Sequence, residues 1–199
     1  MISFTANLIN KINVKKLNNN QYQNQKVSFV ELDVDCENDK KFLENLSEEW
    51  LYQDLFVKCI EDNFLTMTED YDEENNSRFF VLTSQDDGFE RLDVKKALGI
   101  AQTSPHDTDD INIDYLQTNP KYIKKQSTKP TEIKNIGCAI ITSLKHLFKD
   151  KSLKLQTTSD LIEFYKKNGF LISKIRGGSG VNMSYDNKKN HSNMFCEVI

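Results

Sequence analysis

Between Asp110 and Ile175 the apolar pattern changes period four times, and this alternation constrains the fold more than any other feature of the chain. "DINIDYLQT", Asp110 to Thr118, has period two: Ile111, Ile113 and Tyr115 fall on one side, Asn112, Asp114 and Leu116 on the other. From Gly137 onward, Ile140, Ile141, Leu144, Leu147 and Phe148 recur at helical spacing. "SLKLQTT", Ser152 to Thr158, returns to the strand period. "DLIEFYKKNGF", Asp160 to Phe170, spaces Leu161, Ile162, Phe164 and Tyr165 as a helix does. It stops at Asn168-Gly169, because glycine accepts the left-handed conformation after a last turn. "FLISKI" then reads as a strand. Strands joined through helices need crossovers, so the second half predicts a partly parallel sheet with helices packed on it.

The first half is less regular. Ile2, Phe4, Ala6 and Leu8 alternate as an edge strand would, and "NNNQYQNQ" reads as a polar, turn-like spacer. "KVSFVELDV", Lys26 to Val34, is a strand. Two helices follow, one with Phe42, Leu43, Leu46 and Trp50 on a face, the next with Leu55, Phe56, Cys59, Ile60 and Phe64. "RFFVLTS", Arg78 to Ser84, and "KALGIAQT", Lys96 to Thr103, are strands. "NPKYIKKQSTKPTEIK" is a lysine-rich loop, long for a compact domain. The tail offers "VNMSYD" or "NMFCEVI" as a final strand, with the latter preferred. The expectation is one α/β (α+β) domain: a mixed, mostly antiparallel central sheet of six to seven strands flanked by about four helices. Residues 1–25 form a polar N-terminal extension or edge strand of that domain, and residues 26–199 form its body.

Charge narrows the partners. The net charge is −4, unevenly spread. Glu61 to Asp93 holds eleven acids against Arg78 and Arg91, and Asp107, Asp109, Asp110 and Asp114 follow with no base among them. Between Asn119 and Leu155 nine lysines face Glu132 and Asp150. The acidic part suits a cationic ligand and the basic part an anionic one. Bulk duplex binding is disfavoured by the acidic total. No apolar run approaches the ~18 residues of a membrane helix, and "MISFTANLINKINVKKL" lacks the pattern of a secretory leader. Cys36, Cys59, Cys138 and Cys196 show no CxxC pairing, and His106, His146 and His191 do not cluster with them. The expectation is reduced thiols in a cytoplasmic protein and no metal site.

Three stretches in order, "YLQTNP", "KNIGCAII" and "LKLQTTSDLIEFYKKNGF", resemble the GNAT superfamily of N-acetyltransferases. "TNP" at Thr118 to Pro120 is similar to the V-x-P exit of the family's fourth strand. The closing FY-x-x-x-GF signature stands intact from Phe164 to Phe170. The family's phosphate loop, roughly R/Q-x-x-G-x-G/A, aligns in two registers. One uses Lys134, Gly137 and Ala139; the other uses Glu132, Asn135 and Gly137, which sets "NIGCA" on the common "GIGSA".

The resemblance implies acetyl-coenzyme A as cofactor and acetyl transfer to a primary amine by direct attack in a ternary complex. It places the coenzyme's phosphates at Lys134, Asn135, Ile136, Gly137, Cys138 and Ala139, where a helix start offers unpaired N–H groups and partial positive charge. Lys124, Lys125 and Lys129 lie close enough in sequence to add charge. It places the pantetheine arm on backbone groups of Leu116, Gln117 and Thr118, freed where the fourth strand parts from the next. Tyr165 becomes the general acid for the departing thiolate; with thiol and phenol pKa values near ~8.5 and ~10, such a transfer is feasible. Outside this motif, a helical tyrosine is a core residue bonded to a carbonyl. Asp114 is the first candidate base, through water, and Asp110 the second. Thr158 stands where relatives often carry an asparagine seven positions before the tyrosine; its hydroxyl could bond the coenzyme or cap the helix. A covalent route through Cys138 ranks below direct transfer. The acidic regions fall where the family shapes its acceptor site, so the acceptor is expected to be cationic: a polyamine, an aminoglycoside-like amine, or a lysine or N-terminal amine of a protein. The alternatives are a non-catalytic binding module of the same fold and a toxin-like acetylation of aminoacyl-tRNA. The oligomeric state, monomer or homodimer, stays open.

Overall fold

Asn19 and Asn20 sit in the left-handed region, with φ of 48° and 63°. Two such residues in succession make the tight turn whose twist matches a hairpin, and asparagine tolerates it better than other side chains carrying a Cβ. The turn joins β1 (Asn7–Asn18) to β2 (Gln21–Glu31) in a long antiparallel ladder. The polar stretch expected to be a spacer is therefore a hairpin. Its strand character was hidden because β1 buries only Val14 fully, so no apolar alternation marks it.

The computed structural model describes residues 5–50, 56–69, 76–123, 130–175 and 180–187. After the hairpin come α1 (Glu37–Trp50), α2 (Phe56–Glu69), β3 (Arg78–Thr83), β4 (Ala97–Asp107), β5 (Asp110–Thr118) and β6 (Ile133–Lys134). Then follow α3 (Ile136–Leu147), β7 (Ser152–Thr158), α4 (Ile162–Lys167), β8 (Leu171–Ile175) and β9 (Gly180–Asp186). The strands order as β6-β1-β2-β3-β4-β5-β7-β9-β8. Pairs β1/β2, β1/β6, β2/β3, β7/β9 and β8/β9 are antiparallel, and β5/β7 is parallel. The α/β class and the mixed, mostly antiparallel sheet match the expectation, as do four α-helices among the described residues. The nine strands exceed the expected six to seven. The excess comes from β1 as a full strand and from β6, a two-residue strand inside the lysine-rich loop that pairs with Lys15 and Lys16 of β1. "VNMSYD" forms β9, the strand not preferred; "NMFCEVI" lies outside the described residues.

The chain divides into two compact units, Met1–Gln102 with Tyr115–Ser143, and Thr103–Asp114 with Leu144–Ile199. In the first, α1 and α2 bury Phe42, Leu43, Leu46, Trp50, Ile60 and Phe64 against Val30, Phe79, Val81, Ala97 and Ile100 of the sheet. Each such large side chain removed from water contributes about 1.5–3 kcal/mol. On β4, Gly99 is required by close packing: a Cβ there would stand 2.7 Å from Ile140 Cδ1 of α3 and 3.0 Å from the Gln117 carbonyl of β5. In the second unit, β7 and β9 bury alternate residues, among them Leu153, Leu155, Val181, Met183 and Tyr185. Strand β8, at the end of the strand order, is exposed along its whole length.

Candidate active site

In the first unit, the expected phosphate loop is a short braced segment. Ile133 and Lys134 pair with β1, and the N–H of Leu17 donates to Glu132 O at 2.8 Å. Tyr22 donates from its hydroxyl to Thr131 O at 2.7 Å and offers its ring to Lys134, whose Nζ lies 3.9 Å from the ring centroid. The chain then enters α3 through Asn135, the third non-glycine residue with positive φ, at 66°. This asparagine, and not Gly137, makes the left-handed entry; Gly137 is already helical. The first helical bond runs from Ala139 N–H to Asn135 O at 2.9 Å. The amides of Ile136 and Gly137 precede that bond, so helix geometry turns them toward the open end of α3. Ile136 and Ala139 are buried, Gly137 and Cys138 half-buried, and Lys134 and Asn135 exposed. Lys124, Lys125 and Lys129 lie outside the described residues.

Also in the first unit, β5 ends in a fixed exit. Asn119 donates its backbone N–H to Leu98 O at 2.8 Å and its side-chain amide to Ala97 O at 2.9 Å, and it accepts from Lys121 N–H at 3.0 Å. Leu116 and Thr118 are half-buried, while Gln117 is only 3% exposed. Both the Nε2 and the Oε1 of Gln117 are buried with no hydrogen-bond partner among the described residues. Leaving buried donors and acceptors unmade costs about 1–3 kcal/mol each. Gln117 was expected to serve through its backbone, a role that asks nothing of the side chain, so the orphaned carboxamide is a feature of the structure alone.

The second unit carries the other candidates. The parallel ladder of β5 with β7 consists of four pairs, Asp110–Ile113 with Ser152–Leu155, and Asp114 lies just beyond it. Asp114 is exposed as a residue, yet its carboxyl is screened enough that desolvation raises its pKa, against a hydrogen bond from Ser104 that lowers it. Asp110, the second candidate base, is tied to Lys154 at 2.5 Å. Thr158 is exposed at the start of the turn into α4 and makes no side-chain capping bond, so the capping role expected of it is absent. Its neighbour Thr157 is buried with an unpartnered Oγ1 among the described residues.

Tyr165 lies on α4, a helix of six residues. Its ring is 8% exposed, edge-on to Phe164 at 5.0 Å and to Phe170 at 5.8 Å. Its aromatic partners are thus its own helix neighbour and the first residue after the turn. Burial raises the phenol's pKa, so it keeps its proton at neutral pH. Lys145 of α3 reaches the turn after α4 and donates to Asn168 O. The sequence reading passed over this residue. A lysine at the spacing of Ile141 and Phe148, inside an apolar stripe, is the signal that could have found it.

No protein-family model and no curated protein matches the chain. Solved structures do. A protein assigned to the GNAT acetyltransferase family from Desulfovibrio desulfuricans aligns with a TM-score of 0.56 at 13% identity, over 81% of this chain and 99% of that one. The fold is that of the GNAT acetyltransferases. PaiA N-acetyltransferase from Thermoplasma acidophilum, solved in complex with coenzyme A, aligns with a TM-score of 0.51 at 14% identity, over 81% of this chain and 99% of that one. A chimera of the spermidine N-acetyltransferase SpeG from Vibrio cholerae and hSSAT aligns with a TM-score of 0.53 at 14% identity, over 82% and 96%. At such identity the likeness is one of fold. Among the described residues no helix is long and apolar enough to cross a membrane, and no group of His, Cys, Asp or Glu is placed to hold a metal.

Proposed function

We propose that this chain transfers the acetyl group of acetyl-coenzyme A to a primary amine of a cationic acceptor, by direct attack in a ternary complex. The observation that carries this reading is Tyr165. A buried tyrosine whose phenol pKa is raised by burial stands in an intact FY-x-x-x-GF motif on a GNAT fold.

The residues present fit the coenzyme. The first turn of α3 presents amides to an anion, with Lys134 beside it on β6. The carboxamide of Gln117 has both a donor and an acceptor unmade, which suits an amide-rich arm. When bound, acetyl-coenzyme A supplies an activated acyl group; the chain's own residues supply position and protons. Asp114, with its carboxyl pKa raised by desolvation, accepts the acceptor amine's proton through water. With the coenzyme bound, the neutral amine nitrogen would bond to the acyl carbon as the carbon–sulfur bond breaks; Tyr165 would give its phenol proton to the departing sulfur and be reprotonated, through water, by the proton the nitrogen sheds in becoming an amide. Holding both reactants together supplies much of the rate.

The cationic acceptor rests on charge. The acids of Glu61 to Asp93 outnumber bases in a run that begins within α2 and ends before β4, although Asp70, Asp72, Glu73 and Glu74 of that run lie outside the described residues. A polyamine, an aminoglycoside-like amine, or a lysine or N-terminal amine of a protein each meets that demand. Calorimetry with acetyl-coenzyme A is the first test, and saturable binding below millimolar ligand is expected. Absence of binding would overturn the proposal. An acceptor screen of spermidine, aminoglycosides, peptides and charged tRNA then tests the charge argument; neutral amines turning over as well as spermidine would remove it.

A further inference from the structure

We propose that Lys145 is a positioning residue for Tyr165: seated between the carbonyl of Asn168 and the rings of Tyr185 and Phe170, it fixes the turn on which Tyr165 depends. The inference rests on the role of Tyr165 proposed above and concerns a residue from a different helix.

The turn is short and its own bonds are nearly used up. Asn168 N–H donates to Tyr165 O at 3.0 Å and its side-chain amide to Phe164 O at 2.8 Å. Gly169 N–H donates to Lys166 O at 2.8 Å, and Phe170 N–H to Tyr165 O at 3.0 Å. Gly169 takes φ 78°, and a Cβ on it would stand 3.2 Å from the Tyr185 ring, so the turn lies flat against β9. These bonds close the helix end but do not anchor it to the rest of the unit. A helix of six residues cannot hold itself in water.

Lys145 provides an anchor. Its Nζ donates to Asn168 O and lies 3.5 Å from the ring centroid of Tyr185 and 5.5 Å from that of Phe170. Phe170 packs between Tyr165 and Tyr185, with centroids 5.8 Å and 5.6 Å away. One ammonium therefore touches both the carbonyl that ends the turn and the two rings that set the plane of Tyr165's neighbour. The backbone of Lys145 is held in turn by Asn187, whose side-chain amide donates to Lys145 O at 3.4 Å and to Phe148 O at 2.9 Å.

Burial of this ammonium is unfavourable in itself. Desolvation lowers the Lys145 pKa to about 8 and is the whole cause of the shift. The groups facing it are the Tyr185 phenol ring from β9 and, from the turn after α4, the Asn168 carbonyl and the Phe170 ring. A methionine would fill the space without that cost, so packing alone does not call for lysine. A directional bond to Asn168 does.

The test compares wild type with Lys145→Met and Lys145→Arg in acetyl transfer between pH 6 and pH 10, because methionine imitates a lysine that has lost its charge. Below pH 8 the Lys145→Met variant should lose kcat on the order of tenfold, within the range set by small misplacements of catalytic groups. Its KM for acetyl-coenzyme A should stay within about twofold. Above pH 8 the wild-type advantage should shrink only in part, since wild-type Lys145 then loses its charge while its neutral amine can still donate to Asn168 O; Lys145→Arg, always charged, should keep its advantage over methionine. Hydrogen exchange at the amides of Asn168 and Phe170 should quicken in Lys145→Met, a readout that needs no activity. Equal kcat in wild type and Lys145→Met, or unchanged exchange, would each overturn the role of Lys145. Absence of acetyl transfer by the wild type would instead overturn the proposed function, while faster exchange in Lys145→Met would still report the anchoring.

Discussion

The turn after α4 and the buried end of β5 treat their polar groups in opposite ways. In the turn, the carbonyls of Phe164, Tyr165, Lys166 and Asn168 all accept hydrogen bonds, the last from Lys145 of another helix. At the end of β5, Gln117 is as buried as a core leucine and has neither its donor nor its acceptor matched among the described residues. A fully satisfied network is rigid before any ligand arrives, whereas an unsatisfied one is completed by what binds. The difference suits a group that must be aimed in one case and a group that must receive in the other.

The largest effect that would sharpen this contrast lies at Tyr165. Tyr165→Phe keeps the ring contacts with Phe164 and Phe170 and removes only the hydroxyl, so the fold should be unchanged. Steady-state kinetics should show kcat falling on the order of 10- to 100-fold with acetyl-coenzyme A affinity nearly constant. Unaltered turnover would mean that the turn is rigid for some other purpose.

Asp114→Asn comes next. With a carboxyl pKa raised by desolvation, wild-type kcat/KM should climb as pH rises through the acidic range and Asp114 ionises. The variant lacks that limb and should be slower at pH 7 by about tenfold. The deficit should close at high pH, where the acceptor amine is already neutral. A pH profile identical in wild type and variant would assign the base elsewhere.

A smaller effect, on stability, is expected at Gly169. Its φ of 78° and the 3.2 Å gap to Tyr185 leave no comfortable place for a Cβ. Gly169→Ala should cost about 1–2 kcal/mol in urea unfolding, the size of the left-handed penalty. Gly88 offers the control, because its φ is 65° but the nearest atoms to a Cβ stand at the ordinary contact distances of 3.6 and 3.7 Å. If both substitutions cost the same, the turn's contact with Tyr185 adds nothing beyond the dihedral.

Legibility in the sequence followed the same divide. The alternation of Ile111 and Ile113, the stripe from Ile140 to Phe148 and the stop at Asn168-Gly169 were readable, because burial on one face of an element imposes a period. Helix α1 was readable through Phe42, Leu43, Leu46 and Trp50 for the same reason. Strand β1 was not, since most of its side chains stay at least half-exposed and its turn depends on two asparagines with positive φ. The two-residue strand β6 is too short for any period. Asn135 was placed in the loop, but its left-handed entry into α3 was not readable, because no period or motif marks a single residue with positive φ. Tyr165 was readable through its motif. Lys145 stood out only as a lysine within an apolar stripe; its partners, Asn168 and Tyr185, lie 23 and 40 positions away and carry no sequence signal of the contact.

The smallest effect bears on the other side of the comparison, and its sign is what matters. If Gln117 is kept for a ligand, the protein without ligand carries a cost that an apolar residue of the same shape would remove. Gln117→Met should then raise stability by about 1 kcal/mol, a shift of about 2–4 °C in Tm for a chain of this size. The same substitution should weaken acetyl-coenzyme A binding severalfold in calorimetry, because the methionine offers no donor or acceptor to an amide. A glutamine satisfied by a buried water would behave otherwise: removing it would strand that water and lower Tm. A variant more stable when empty and poorer at binding can be explained only by a group whose partner is the ligand, since stability and affinity move in opposite directions. A fall in both would return Gln117 to the core, and the end of β5 would then be as self-sufficient as the turn after α4.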